Sequence, residues 1–286
     1  MFFYKKNHII SYPQNHIIIM LTLKDILFPP TSTITHLSAK DLEKEQETIN
    51  HAKAFATTTS YGIYVLDYFN KEILFVSDSI TRLNDTITGC HCNVNSLNIP
   101  EEDLKILNEV YTEAFKYLYN LPKEERLEYL FTFDINIMHE KKKNIMFHHN
   151  ISPMSLTEDG MILYTICTVS PITGCTRHNF RIKKRHAGYY LEYNIKKHKW
   201  EEKTCITMTQ MERQVLLLST SGYTMHAIAN IIYKSLDSIR TYKRSIFSKL
   251  KVRSITEAIA YINNYNMYDW INVKSLSKDA ESNTDL

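Results

Sequence analysis

The stretch TQMERQVLLLSTSGYTMHAIANIIYKSLDSIRTYKRSIFSKLKVRSITEAIAYINN, residues 209–264, decides the reading of the chain, because it describes four helices in succession. Thr209 is followed three residues later by Glu212, a Thr-x-x-Glu capping box that opens a helix, and Val215, Leu216, Leu218 and Ser219 give that helix one face. Gly222 ends it as a C-cap. Thr224 begins a second, short helix with Ile228, Ala229 and Ile232 inward. Ser235 caps a third that runs to about Lys249, and Glu257, Ala258, Ile259 and Ile262 fit a closing helix.

The third helix divides cleanly at about 100° per residue. Ile239, Ile246 and Leu250 share one side, while Asp237, Arg240, Thr241, Arg244 and Ser248 occupy the other. A helix anchored by aliphatics and presenting two arginines four residues apart suits the major groove, where Arg pairs with guanine O6 and N7 while Ser, Thr and Lys reach phosphates. Charge agrees with this. Residues 209–264 hold eight Lys and Arg against three Asp and Glu, a surplus of five in a chain of net +3, so the remainder carries −2. A basic module on a near-neutral chain suits a polyanionic partner such as double-stranded DNA.

These features resemble the LuxR family of helix-turn-helix regulators. Its pattern is met in register by Thr209-Gln-Met-Glu212, Val215-Leu216-Leu217-Leu218, Gly222, Ile228-Ala229, Ser235, Ile246-Phe-Ser-Lys249-Leu250 and Thr256-Glu257-Ala258. The resemblance implies base reading by Arg240, Thr241 and Arg244, backbone contacts from Ser235, Ser238 and Lys243, and a supporting Lys249. It further implies a homodimer on paired half-sites. The chain departs from the family at His226-Ala227, before Ile-Ala, and at Tyr242, where a His is common.

Upstream the texture changes. Ser38 and Asp41 read as the start of a helix reaching about Ala56, on which Leu42, Ile49 and Ala56 recur every seven residues. That helix either packs on its own domain or offers a dimer edge. Residues 62–68 and 72–78 read as a hairpin about Asn70-Lys71. A helix over 103–119 follows, with Leu104, Leu107, Val110, Tyr111, Ala114, Phe115 and Leu118 at steps of three and four. Three strands, 129–139, 144–152 and 161–170, then form an antiparallel meander. Two strands, a helical middle and three strands is the order of the PAS fold, and residues 62–172 resemble a PAS sensor domain at Gly62-Ile-Tyr-Val-Leu-Asp67, Ile73-Leu-Phe-Val-Ser-Asp78 and Pro100-Glu-Glu-Asp103. The basic, aromatic segment 181–202 reads as a hairpin centred on Gly188, extending the sheet or clamping the next domain, or as an auxiliary DNA contact.

Charged residues at 23% and hydrophobic ones at 44% exclude a disordered chain, and the apolar run Ile17–Leu21 is too short to span a membrane. Met20 offers an alternative start, leaving residues 1–19 an extension. Five cysteines without disulfide-framework spacing point to a reducing, cytoplasmic setting. Cys90-His91-Cys92 lacks a second ligand pair for a metal, and the residues after Cys92 do not fit a flavin-binding motif. His139, His148 and His149 lie on strand-like segments and read as structural rather than haem ligands. No phosphate loop, nucleophile elbow or paired catalytic carboxylates occur, so an enzyme is not expected, and no cofactor is named.

The expected architecture is α+β: a PAS-like antiparallel sheet with helices, then an all-α four-helix LuxR-type helix-turn-helix domain. The boundaries are an N-terminal extension at 1–37, the sensor with its leading helix at 38–175, the basic linker or hairpin at 176–204, the DNA-binding domain at 205–266 and a tail at 267–286. The expected function is a one-component transcription regulator whose sensor takes a small molecule or a protein partner. The alternative is a protein-interaction module whose helix-turn-helix no longer reads DNA. Salt-dependent binding to duplex DNA separates the two.

Overall fold

Phe131, Phe133, Ile135 and Ile137 are buried at alternate positions of one strand, as a sheet with a covered face requires. This strand is β3 (Tyr129–Ile137) in the computed structural model, which describes residues 23–80, 99–137, 145–172 and 179–264. Ile17–Leu21, Met20, Cys90–Cys92, His139, Cys175 and the tail from 267 lie outside these residues.

The other strands are β1 (Gly62–Asp67), β2 (Glu72–Val76), β4 (Ile145–Leu156), β5 (Ile162–Ile172), β6 (Phe180–Lys184), β7 (Tyr189–Asn194) and β8 (Lys199–Thr204). They form one antiparallel sheet in the order β2-β1-β5-β4-β3-β6-β7-β8. The segment 180–204 thus lengthens the sheet on its β3 side, so β6 stands between the meander and the last hairpin. Asp67 accepts hydrogen bonds from the amides of Phe69 and Asn70, which turns β1 back into β2.

One face of the sheet is covered by α3 (Glu101–Tyr119), after α1 (Leu23–Leu27) and α2 (Ala39–Thr58) in chain order. Glu101, Glu102 and Asp103 favour the start of α3 through the helix dipole, and Leu107, Val110, Tyr111, Ala114, Phe115 and Leu118 form its buried stripe. Tyr111 meets Tyr68 through their hydroxyls at 2.9 Å, so the ring bodies pack while the polar ends satisfy one another. Arg126 straps the far end: it donates to the carbonyls of Tyr119, Leu121 and Gly160. Gly160 has φ +85°, and a side chain there would also press on Lys123.

Part of the expected N-terminal extension belongs to this core. Ile26, Leu27, Phe28 and Ile34 are buried in it, with Phe28 edge-on to Tyr68 at 5.5 Å. A helix of five residues is too short for its periodicity to show that it packs into this core. Helix α2 buries Asp41, Thr48 and Ala52 against the domain and leaves Leu42 and Phe55 exposed, so Leu42 of the heptad series faces outward.

The C-terminal helices are α4 (Gln210–Thr220), α5 (Met225–Ile231), α6 (Leu236–Leu250) and α7 (Ile255–Asn264). Val215, Leu216, Ile228, Ile239, Ile246, Leu250, Ala258 and Ile262 form a second core, separate from the first. The α+β arrangement expected from the pattern is the one found. Arg181 on β6 donates to the hydroxyl of Tyr261 on α7 at 3.5 Å, which joins the sheet to the helical domain.

Asp41 closes the capping box at the start of α2, where it accepts from Ser38 and from Lys44 at 2.7 Å. Burial works against its charge, but the bonds from Lys44 and Ser38 prevail and its pKa falls to about 2. A carboxyl with a depressed folded pKa adds stability above its unfolded value, and that stability disappears as pH drops through the folded value. Asp41→Ala is therefore expected to lower stability at pH 7 by about 2 kcal/mol, and the deficit should shrink between about pH 4 and pH 2. Urea melts across that range check it.

Candidate nucleic-acid interface

The outer face of α6 starts with a cap. The Ser235 hydroxyl accepts from the Ser238 amide at 3.2 Å, which sets the first turn of α6 and its phase. Spaced seven and four residues apart, and so on one side of the helix, Ile239, Ile246 and Leu250 then drop into the core. Asp237, Arg240, Thr241, Arg244 and Ser248 consequently stand exposed along one outer stripe of about 16 Å. Asp237 pairs with Arg240 at 2.7 Å, and the Thr241 hydroxyl bonds back to the Asp237 carbonyl.

Not every expected residue lies on that stripe. Ser238 and Lys243 are half-buried at its flanks, and burial lowers the pKa of the Lys243 ammonium. Lys249 points inward: its ammonium lies 2.6 Å from Glu212 of α4. Tyr242, the departure from the family's His, packs against the edge of the core. His226 is exposed at the start of α5.

Glu212 fixes how α6 sits on α4. One carboxylate accepts from the Thr209 amide, from Ser245 at 2.5 Å and from Lys249, while the residue itself is buried. Burial pushes the carboxyl up, but the bonds from Lys249, Ser245 and Thr209 outweigh it and hold the pKa below the ordinary glutamate range. Both residues on α6 that reach Glu212 lie off the exposed stripe and are half-buried, so the hub orients the stripe without occupying it.

Two surface residues escaped sequence reasoning. Tyr233, in the turn before α6, is 91% exposed, and Lys251 ends the helix. Both have positive φ, 52° and 56°, in turns where the next amide reaches back to Ala229 and to Phe247. The same pair of turn bonds closes α4 through Gly222 at φ +85°. Glycine announces such a turn in sequence; Tyr and Lys do not. Ser248, by contrast, was legible from its spacing.

The basic segment 181–202 has much of its charge matched. Lys184 pairs with Glu125 and Glu128, Lys197 with Glu201, and Arg181 with Glu192, and Lys203 just beyond the segment also pairs with Glu201. His148 bonds Asp134 at 2.6 Å, and Asn179 also donates to Asp134. His149 stacks on Phe133 at 4.7 Å, and burial drives its pKa to about 3. Among the described residues no group of His, Cys, Asp and Glu is placed to hold a metal ion, and no helix is long and apolar enough to cross a membrane.

A capped helix laid across a two-helix scaffold, with cations outward and aliphatics inward, defines residues 209–264 as a helix-turn-helix domain of the nucleic-acid-binding class. Residues 207–262 match the family described as bacterial regulatory proteins, luxR family, and this segment is a domain of that family. It is a family of DNA-binding regulators, not of enzymes. Response regulator protein VraR of Staphylococcus aureus (strain NCTC 8325 / PS 47) and its counterpart in Staphylococcus epidermidis are each 32% identical over 60 residues, 21% of this chain. The match spans 29% of the length of each of these relatives. Among solved structures, a phage VqmA–DPO complex is similar at 16% identity and TM-score 0.29, covering 86% of this chain and 97% of that one. A Vibrio cholera VqmA–ligand–DNA complex gives 12% identity and TM-score 0.27, covering 80% and 89%.

Removing the hub is the direct check on the geometry. Glu212→Ala is expected to cost about 2–3 kcal/mol at pH 7, since it strands Lys249 and undoes the cap together. Because the folded pKa is depressed, the wild type should lose this advantage as pH falls below about 4.3 through the folded value. Thermal melts of both proteins at several pH values measure it.

Proposed function

We propose that this chain is a one-component, sequence-specific DNA-binding transcription regulator, working in the cytoplasm, with the sheet domain as its sensor. The outer stripe of α6 carries the proposal. It offers Arg240, Thr241 and Arg244 to base edges, while the aliphatic anchor and the Glu212 hub hold the helix still. Ser235, Ser238 and Lys243 sit at the flanks of the stripe and serve the phosphate backbone. Lys249 acts indirectly, through Glu212.

In this reading residues 23–204 form the sensory unit, for a small-molecule or protein partner, and residues 205–266 the effector. Such a domain brings one recognition helix and so one half-site, and a homodimer joins two of them. The exposed Leu42 on α2 supports a role for that helix in pairing. The bond between Arg181 and Tyr261 supports a coupling of the two units, because it ties the middle of the sheet to the closing helix.

Arg240→Ala and Arg244→Ala are each expected to weaken binding to the preferred duplex by about 1–3 kcal/mol and leave the melting temperature unchanged. Titration of full-length proteins with that duplex at near-physiological salt tests it; unaltered affinity in both would overturn the assignment of the reading face. Dimerisation has its own measurement. Sedimentation and DNA titration of residues 204–264 alone should show a monomer that binds the site more weakly than the whole chain does.

A further inference from the structure

The outer stripe contains one acid. Of the three carboxylates in residues 209–264, Glu212 is buried in the hub and Glu257 accepts from the Arg253 amide at the start of α7. Asp237 alone stands among the side chains that would face DNA, and its side chain is 86% exposed. An acid in the first turn of a helix is favoured by the helix dipole. That accounts for a carboxylate near position 237. It does not account for one bonded to Arg240.

A carboxylate beside phosphates weakens binding to every sequence alike, by repulsion across a short distance. The loss is recovered only where a base presents a donor to it. In the major groove a carboxylate accepts from the exocyclic N4 amine of cytosine. Its second effect is on Arg240. The bond from Nη1 to Asp237 at 2.7 Å aims the guanidinium and leaves its other donors for a guanine. Both residues lie in the first half of α6, the part of a recognition helix that reaches base edges.

We propose that Asp237 is a specificity-determining residue: it positions Arg240 on a guanine, accepts from a neighbouring cytosine, and penalises duplexes that lack this step. The inference rests on α6 being the groove-facing helix, and it adds that this protein trades affinity for discrimination at one end of its half-site. Arg244, two turns from Asp237 and without an acid beside it in the hydrogen-bond pattern, reads its own base independently.

The test selects duplexes from a randomised library with the full-length chain, then with D237N, D237A and R240A. The selected and a scrambled duplex are titrated at two salt concentrations. The wild type is expected to select a motif holding a guanine next to a cytosine. D237N and D237A should bind the scrambled duplex at least as tightly as the wild type. They should also lose about tenfold in preference at that step alone. Melting temperatures show whether the variants are folded, and a merely structural role at the helix start would move these without changing the selected motif. A selected motif as sharp in D237A as in the wild type, or affinity lowered equally for both duplexes, overturns the proposal while the reading of α6 stands. A wild type that selects no duplex, with R240A indistinguishable from it, overturns both.

Discussion

The carboxylate of Glu212 is the contact on which the presentation of the outer stripe of α6 depends. A helix lying on two others has three freedoms that matter for groove binding: its rotation, its slide and its tilt. The aliphatic positions Ile239, Ile246 and Leu250 fix rotation, but apolar contacts are non-directional and slide at little cost. Hydrogen bonds are directional. Ser245 and Lys249, one turn apart on α6, converge on a carboxylate that is itself locked by the Thr209 amide. Slide and tilt are set together. Rigid placement of this kind is what a face needs if its arginines are to distinguish bases and not merely collect phosphates.

Helical segments other than the five-residue α1 were legible in the sequence to within a residue or two, since caps and periodicity announce themselves locally. Ser38, Thr209, Thr224 and Ser235 all cap the helices that follow them. The meander was equally readable from alternation and polar turns. What escaped reading was non-local. Membership of Ile26, Leu27 and Phe28 in the first core depends on α3, some eighty residues later in the chain. The role of Lys249 depends on Glu212, 37 residues earlier. Asp134 and His148 each read as ordinary strand residues, and only the register of β3 on β4 makes them a pair.

The candidate site divides in the same way. Helical spacing placed Arg240, Thr241 and Arg244 on one stripe because 3.6 residues per turn needs no tertiary knowledge. It could not separate a lysine on the outer face from one that reaches sideways, because a long flexible side chain leaves its own Cα direction. Nor could it find left-handed residues where glycine is absent, as at Tyr233 and Lys251. Their conformation is imposed by the helices on either side, and a non-glycine residue held there carries strain of about 1 kcal/mol or more.

Among the described residues the last strand, β8, has one neighbour, β7, and leaves its other side unpaired. An open strand edge is a template for another chain, and a row of free amides and carbonyls invites sheets to stack end on end into aggregates. Lys199, Glu201, Glu202 and Lys203 give this strand charges of both signs, several of them in pairs with neighbours. An incoming strand would have to strip water from these groups and break the pairs before its backbone could dock. The same lysines that look, in sequence, like a hand held out to a polyanion thus work as a guard rail against the docking of a second sheet.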